Sequence, residues 1–187
     1  MKRLIIGLSG ASGIIYGIRL LEVLQTVADV ETHLVMSAAS RRTLKLETDY
    51  SLAEVKALAD VVYNFNNIAA AISSGSYKTI GMAVIPCSIK TLSGITHSYS
   101  DNLLLRAADV VLKDRRKLVL ALRETPLHAG HIRLMAQATE MGAIIMPPMP
   151  AFYHRPQTLD DIINQTVNRL LDIFDIDLPQ DLFQRWS

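Results

Sequence analysis

A single cysteine, Cys87, stands among 187 residues. It excludes an intrachain disulfide and fits a reducing compartment. No apolar run approaches the roughly 20 residues that span a bilayer. Met1-Lys2-Arg3 followed by Leu4–Leu8 mimics the start of a signal peptide, but the run is short and passes straight into a glycine turn and a helical pattern. The expectation is a cytoplasmic protein with no membrane partner. Neither sign of charge is in excess. The net charge is +1 and there is no Lys/Arg block, which argues against a nucleic-acid partner. Repeats, linkers and low-complexity tracts are also missing. Apolar residues are plentiful at 50%, slightly above ordinary usage, and leave apolar surface for subunit contacts. The length suits one α/β domain, residues 1–187, with a sizeable core.

Short apolar runs alternate with helical patterns along the whole chain. Strands are expected at 4–8, Val30–Met36, Val61–Phe65, Thr79–Ile85, Lys117–Leu122 and Ala143–Met146. The first helix carries Ile14, Ile18, Leu21 and Ala28 on one face. Ser37 is placed to cap the helix that runs towards Glu47-Thr48-Asp49, and Ser51-Leu52-Ala53-Glu54 is a capping-box pattern for a stretch to about Ala59. Further helices are expected at about Asn102–Lys113, at Ala129–Met141 stopped by Gly142, and at Thr158–Phe174, with a tail ending at Trp186. Asn66–Ser76 reads as loop with one helical turn. Such alternation predicts a doubly wound, mostly parallel α/β sheet with helices on both faces. Sheets of this kind bind ligands at the carboxyl ends of their strands. Four polar clusters fall there: Ser9–Gly13, Ser37, Ser88–Thr91 and Arg123-Glu124.

The first cluster organises the rest. Leu4–Leu8 ends in Ser9-Gly10-Ala11-Ser12-Gly13, and a helix begins at once. Gly10 and Gly13 permit a sharp turn and close approach to a ligand. The free N–H groups and dipole of the helix start predict an anion site, most simply for a nucleotide phosphate, with Ser9 and Ser12 beside it. The plainer reading is close strand–helix packing. The dinucleotide fingerprint is absent: the glycines run Gly7-x-x-Gly10-x-x-Gly13, and the second strand ends in Ser37 where that fingerprint has an acidic ribose ligand. The P-loop lysine is absent too.

Gly10-Ala11-Ser12-Gly13, Pro86-Cys87-Ser88-Ile89-Lys90-Thr91, Arg123-Glu124-Thr125-Pro126-Leu127-His128 and Pro150-Ala151-Phe152-Tyr153-His154-Arg155-Pro156 together resemble the UbiX/Pad1 flavin prenyltransferase family, its enterobacterial members above all. The resemblance implies a flavodoxin/Rossmann-like fold and FMN. It implies a reaction in which reduced FMN is alkylated at N5 by dimethylallyl monophosphate, phosphate leaves, and the prenyl group closes onto C6. The product serves UbiD-type decarboxylases, and family members are dodecamers with the site at subunit contacts. Carried over motif by motif, Gly10, Ala11 and Ser12 approach the flavin, and Ser37 and Arg123 its phosphate side. Ser88, Ile89, Lys90 and Thr91 line the flavin site. Lys113, Glu124, Tyr153 and Arg169 surround the prenyl phosphate, and Glu47 is a second active-site acid. Ser12, Glu47, Lys113 and Glu124 form the catalytic set. One departure is the stretch Asn67-Ile68-Ala69, where some relatives carry a Trp.

Each of these residues also has an ordinary reading. Arg123 and Glu124 follow a strand, so they point in roughly opposite directions and suit different ligands, or else form a surface ion pair. Lys113 is in isolation a solvated helix end. Arg169 lies at the edge of a stripe of Leu159, Ile163, Leu170 and Phe174. There it needs a phosphate or a neighbouring subunit's carboxylate. Tyr153 sits in a proline-flanked loop, as a ligand-facing phenol or a packed aromatic. Asp160 and Asp161 resemble the metal-binding aspartates of terpene enzymes, but Thr158 as N-cap puts both in a first turn, where they favour the dipole. No metal is expected, so the leaving phosphate is met by Lys113, Arg169 and Tyr153, with Glu124 as proton donor. His128 and His131 are three apart without a third ligand and read as core or interface packing. Cys87 reads as a buried, inert thiol.

Two other functions compete. One is an FMN-dependent decarboxylase acting directly on an aromatic or cysteinyl substrate; related flavoproteins of that kind use a His in the loop after the third strand, and 64–69 has none. The other is a non-catalytic flavin-binding subunit, which usually brings acidic or disordered segments that this chain lacks.

Overall fold

The computed structural model describes residues 1–185; the end of the tail at Trp186 lies outside them. Six strands form one parallel sheet in the order β3-β2-β1-β4-β5-β6. They are β1 (Lys2–Leu8), β2 (Val30–Met36), β3 (Val61–Tyr63), β4 (Gly81–Cys87), β5 (Lys117–Leu122) and β6 (Ile144–Ile145). Seven α-helices connect or flank them: α1 (Ile14–Leu24), α2 (Ala38–Glu47), α3 (Leu52–Ala57), α4 (Ile89–Thr96), α5 (Leu103–Lys113), α6 (Ala129–Glu140) and α7 (Leu159–Ile173). A 3₁₀ turn at Ala71–Ser73 is the one helical turn expected between 66 and 76.

Strand alternation sorts the apolar residues between two faces. Leu4, Ile6 and Leu8 of β1, with Ala83 and Ile85 of β4, pack under Ile14, Ile18 and Leu21 of α1 and Val167, Leu170 and Leu171 of α7. Ile5, Met82 and Val84 face the other way, onto Leu92 of α4 and Leu104, Ala108 and Val111 of α5. Every residue of β4 is buried, as a strand covered on both faces must be. The strand order reverses direction between β1 and β4, and that is where an open parallel sheet leaves a crevice.

The observed bounds differ modestly from those expected. α1 ends at Leu24, four residues short of Ala28. β3 stops at Tyr63, β4 is displaced to 81–87, and β6 keeps only two paired residues. Leu159 leaves the predicted stripe: at the first position of α7 it is 79% exposed, while Ile163, Leu170 and Phe174 are buried.

Candidate functional site

Side-chain caps fix the helix starts that face the crevice. Ser37 Oγ accepts from Ser40 N at the start of α2, and Ser88 Oγ accepts from Thr91 N at the start of α4. Ser9 ties the two crevice-forming loops together: its hydroxyl donates to the Pro86 carbonyl at 3.0 Å and accepts from Ser88 N at 2.8 Å. Buried in this way, Ser9 is structural and does not serve an anion as the sequence suggests.

The expected phosphate site at the start of α1 is filled by the chain itself. Glu47 Oε2 accepts from Gly13 N at 2.8 Å and from Ile14 N at 3.2 Å. Gly13 has φ +90°, a left-handed conformation that glycine adopts without strain. A Cβ on Gly10 would lie 2.3 Å from Cβ of Ala39, so this glycine lets the loop pack on the first turn of α2. The closeness that the sequence ascribes to a ligand is here, in part, closeness between loop and helix.

A cavity of about 780 Å³ opens beside these caps. Gly10, Ser37 and Ala39 bound one side, and Ser88, Ile89, Lys90 and Thr91 another. Phe65, Leu104 and Leu105 supply an apolar wall, and His97, Tyr99, Asp101 and Asn102 lie along it. Glu124 reaches it from the end of β5, and Arg42 from α2. Hydroxyls and cations beside an apolar wall suit an amphiphilic, phosphate-bearing ring system such as FMN. Phe65, Tyr99 and Arg42 were not read from the sequence. The signal for Arg42 was its position four residues after Ala38, on the same face of a helix whose N-cap the sequence identifies.

The sequence-derived residues do not all meet in one chain. Gly10, Ser37, Ser88–Thr91 and Glu124 line the cavity. Ala11, Ser12 and Arg123 do not; Ser12 is exposed, and Arg123 donates its backbone N–H to the Cys87 carbonyl. Glu124 Oε1 accepts from Thr125 N at 3.0 Å. Thus the two neighbours do part company, with Glu124 on the cavity. Lys113 ends α5 below the start of β5, paired with Asp114 at 2.7 Å. Arg169 lies on α7, across the sheet, paired with Asp172 at 2.7 Å. Its partner is therefore its own chain's carboxylate, and its side chain is 51% exposed. The Tyr153 hydroxyl accepts from Gln165 Nε2 at 3.4 Å, and its ring meets His154 and Phe183 edge-on.

Electrostatics separate structural from available groups. Burial pushes the Cys87 thiol up to about 12, so it is inert at neutral pH. Asp114 is held below its ordinary value first by the Lys113 hydrogen bond. Asp172 is held down first by its hydrogen bonds from Arg185, which grips it at 2.9 and 3.0 Å. Asp161 closes a capping box with Thr158, and Asp160 bonds Arg19 at 2.9 Å, so both aspartates have structural work. Among the described residues, no group of three or more His, Cys, Asp or Glu is placed to hold a metal. His128 caps α6 through Gly130 N, exposed rather than packed in the core, with its ring 3.6 Å from that of His131. No helix among the described residues is long and apolar enough to cross a membrane.

Comparison with known proteins bears on the site. The flavoprotein family model matches residues 1–171. The chain is 72% identical over 187 residues, all of its length and 99% of the relative's, to flavin prenyltransferase UbiX of Escherichia coli K12. It is 61% identical over 185 residues to the flavin prenyltransferase UbiX of Thauera aromatica, covering 99% of this chain and 94% of that one. A crystal structure of AnUbiX in complex with FMN and dimethylallyl pyrophosphate superposes with TM-score 0.96 at 48% identity, covering 100% of this chain and 97% of the other. A dodecameric FMN-dependent UbiX-like decarboxylase from Escherichia coli O157:H7 superposes with TM-score 0.94 at 51% identity, over 99% and 98% of the two chains. Peptidyl-cysteine decarboxylase EpiD, at 17% identity and TM-score 0.62, shares the fold alone. By sequence over its full length, the chain belongs to the flavoprotein family and, within it, to the UbiX flavin prenyltransferases.

Proposed function

We propose that this protein is a flavin prenyltransferase, transferring the dimethylallyl group of dimethylallyl monophosphate to N5 and C6 of reduced FMN. The observation that carries the reading is the full-length identity of 72% to a flavin prenyltransferase. The cavity at the β1/β4 crevice, with its hydroxyls, cations and apolar wall, supports it. Reduced FMN supplies the nucleophilic ring atoms. The chain's own residues bind, orient and manage the proton. Ser88 and Thr91 sit at a helix start whose dipole favours negative charge. Glu124 lies on the cavity, where its carboxyl can protonate the departing phosphate. Lys113, Tyr153 and Arg169 hold the prenyl phosphate at sites shared between copies, with Lys113 and Arg169 of one site coming from different copies because one chain carries them on opposite faces of its sheet. Ser12 and Glu47 complete the catalytic set, and Ala11 and Arg123 approach FMN in the same assembly. The assembly is a homododecamer in the cytoplasm, and the prenylated flavin passes to a UbiD-type decarboxylase.

Incubation with reduced FMN and dimethylallyl monophosphate should yield a flavin heavier by one C5H8 unit, with release of one phosphate per flavin. Unmodified flavin, together with turnover of an aromatic acid by the protein and FMN alone, would install the direct decarboxylase instead. Flavin binding without either reaction would favour the non-catalytic subunit.

A further inference from the structure

We propose that Arg42 is the side chain that holds the 5′-phosphate of FMN and so makes the site select FMN over riboflavin. The inference rests on the flavin reading above and concerns a residue that reading did not use. The start of α1, where a phosphate would first be sought, is taken by the Glu47 carboxylate. The phosphate must therefore find its charge elsewhere on the cavity. Two cations line it, Arg42 and Lys90. Lys90 lies in the first turn of α4, beside Ile89 and the apolar wall. Arg42 lies on α2 four residues after Ala38, on the wall that also holds Ser37 and Gly10. Among the described residues Arg42, like Lys90, makes no ion pair and no side-chain hydrogen bond, whereas Arg3, Arg19, Arg106, Arg116, Arg169 and Arg185 are all engaged by carboxylates. A guanidinium presents donors in a planar fork that matches phosphate oxygens. The Ser37 hydroxyl and the backbone N–H groups opening α2 lie on the same wall and complete the donor set. Arg123, the cation first assigned to this phosphate, does not line the cavity of its own chain.

The test is titration of the full-length protein with oxidised FMN and with riboflavin, followed by flavin fluorescence. Arg42→Ala should weaken FMN about 10- to 100-fold, the worth of a charge-assisted hydrogen bond or two. It should move riboflavin less than about twofold, since riboflavin has no phosphate to lose; this also reports that the cavity remains folded. Arg42→Lys should fall between, keeping charge without the fork. An unchanged FMN-to-riboflavin ratio in Arg42→Ala overturns the assignment. So does a ratio lost in Arg123→Ala but kept in Arg42→Ala, which would return the phosphate to Arg123. A parent protein that binds neither flavin would overturn the flavin reading itself, and the Arg42 assignment with it.

Discussion

Glu47 has a capping duty that one pair of substitutions separates from its proposed role as an active-site acid. Its Oε2 holds two of the free N–H groups that open α1, Gly13 at 2.8 Å and Ile14 at 3.2 Å. A capping acceptor is worth about 0.5–2 kcal/mol, and a negative charge at that end of the dipole about 0.3–1 kcal/mol. The bond to Gly13 is exposed, so water replaces part of what is lost. Glu47→Ala should therefore cost about 1–2 kcal/mol. For a chain of 187 residues that lowers Tm by about 2–8 °C, at about 2–4 °C per kcal/mol. Glu47→Gln keeps an acceptor oxygen and loses only the charge, about 0.3–1 kcal/mol, or about 1–4 °C. Added salt should close the gap between Glu47 and Gln, because the charge term is screened. Thermal unfolding at fixed protein concentration and fixed flavin loading reads these shifts. The family role as an active-site acid predicts a different pattern: prenyl transfer falls steeply in Gln despite a small change in Tm. A Glu47→Ala protein melting within about half a degree of the parent would refute the capping argument. A Gln variant with parent turnover would leave Glu47 as a cap and nothing more.

Glu124→Gln should slow prenyl transfer by about 10²–10⁴-fold while FMN affinity stays nearly constant, because Gln cannot give a proton; single-turnover kinetics with bound flavin decides it. Titration with both ligands should show FMN bound more tightly than NAD, since Ser37 stands where a ribose-binding acid would be. Asp172 and Asp181 are both held below their ordinary value, first by hydrogen bonds from Arg185. Depressed carboxylates stabilise above their ordinary value, and the contribution is lost as pH falls through the lower folded value. Hydrogen exchange should accordingly show residues 176–185 protected at about pH 5 and released first at about pH 3; equal protection at both would refute the clamp.

Local patterns in the sequence carried most of the fold. Short apolar runs located every strand, and Ser37, Ser51 and Thr158 cap helices where their spacing said they would. The cavity lies at the carboxyl ends of the strands, where the βαβ pattern put ligand binding, while the strand order that opens it between β1 and β4 comes from the structure alone. Tertiary facts were not legible. Nothing local tells that Glu47, thirty-four residues from Gly13, returns to fill the first anion site. Leu159 has the right spacing for an apolar stripe, but at the first position of α7 it stands off the core. Arg42 looks like any solvated helix residue until α2 is laid along the cavity. The family motif for Glu124 picked a cavity residue, yet the same motif carried Arg123, which its own chain keeps off that wall.

The separation of Lys113 and Arg169 from Glu124 has an architectural consequence. Lys113 closes a helix on the α4/α5 face, at the end from which β5 starts. Arg169 belongs to the α1/α7 face, five residues before Phe174, which packs on Gly81 at the start of β4. Glu124 stands beyond the other end of β5. A six- or seven-residue strand spans about 20 Å, so Glu124 stands far along the sheet from Lys113, and Arg169 lies on the other face, in a single chain. If they serve one prenyl phosphate, different copies supply them, through a contact that joins unlike surfaces and closes by rotation. Co-expression of Glu124→Gln and Arg169→Ala chains under separate tags then makes a sharp prediction. Each variant alone is nearly inactive. In hybrid oligomers purified through both tags, half the sites draw Glu124 from the Arg169→Ala chain, and half of those draw Arg169 from the Glu124→Gln chain. Activity should return to about one quarter of the parent's per site, on random mixing within a closed ring. No recovery in a verified hybrid would mean that each chain carries its own Glu124 and Arg169 to the same substrate, and the shared site would be wrong.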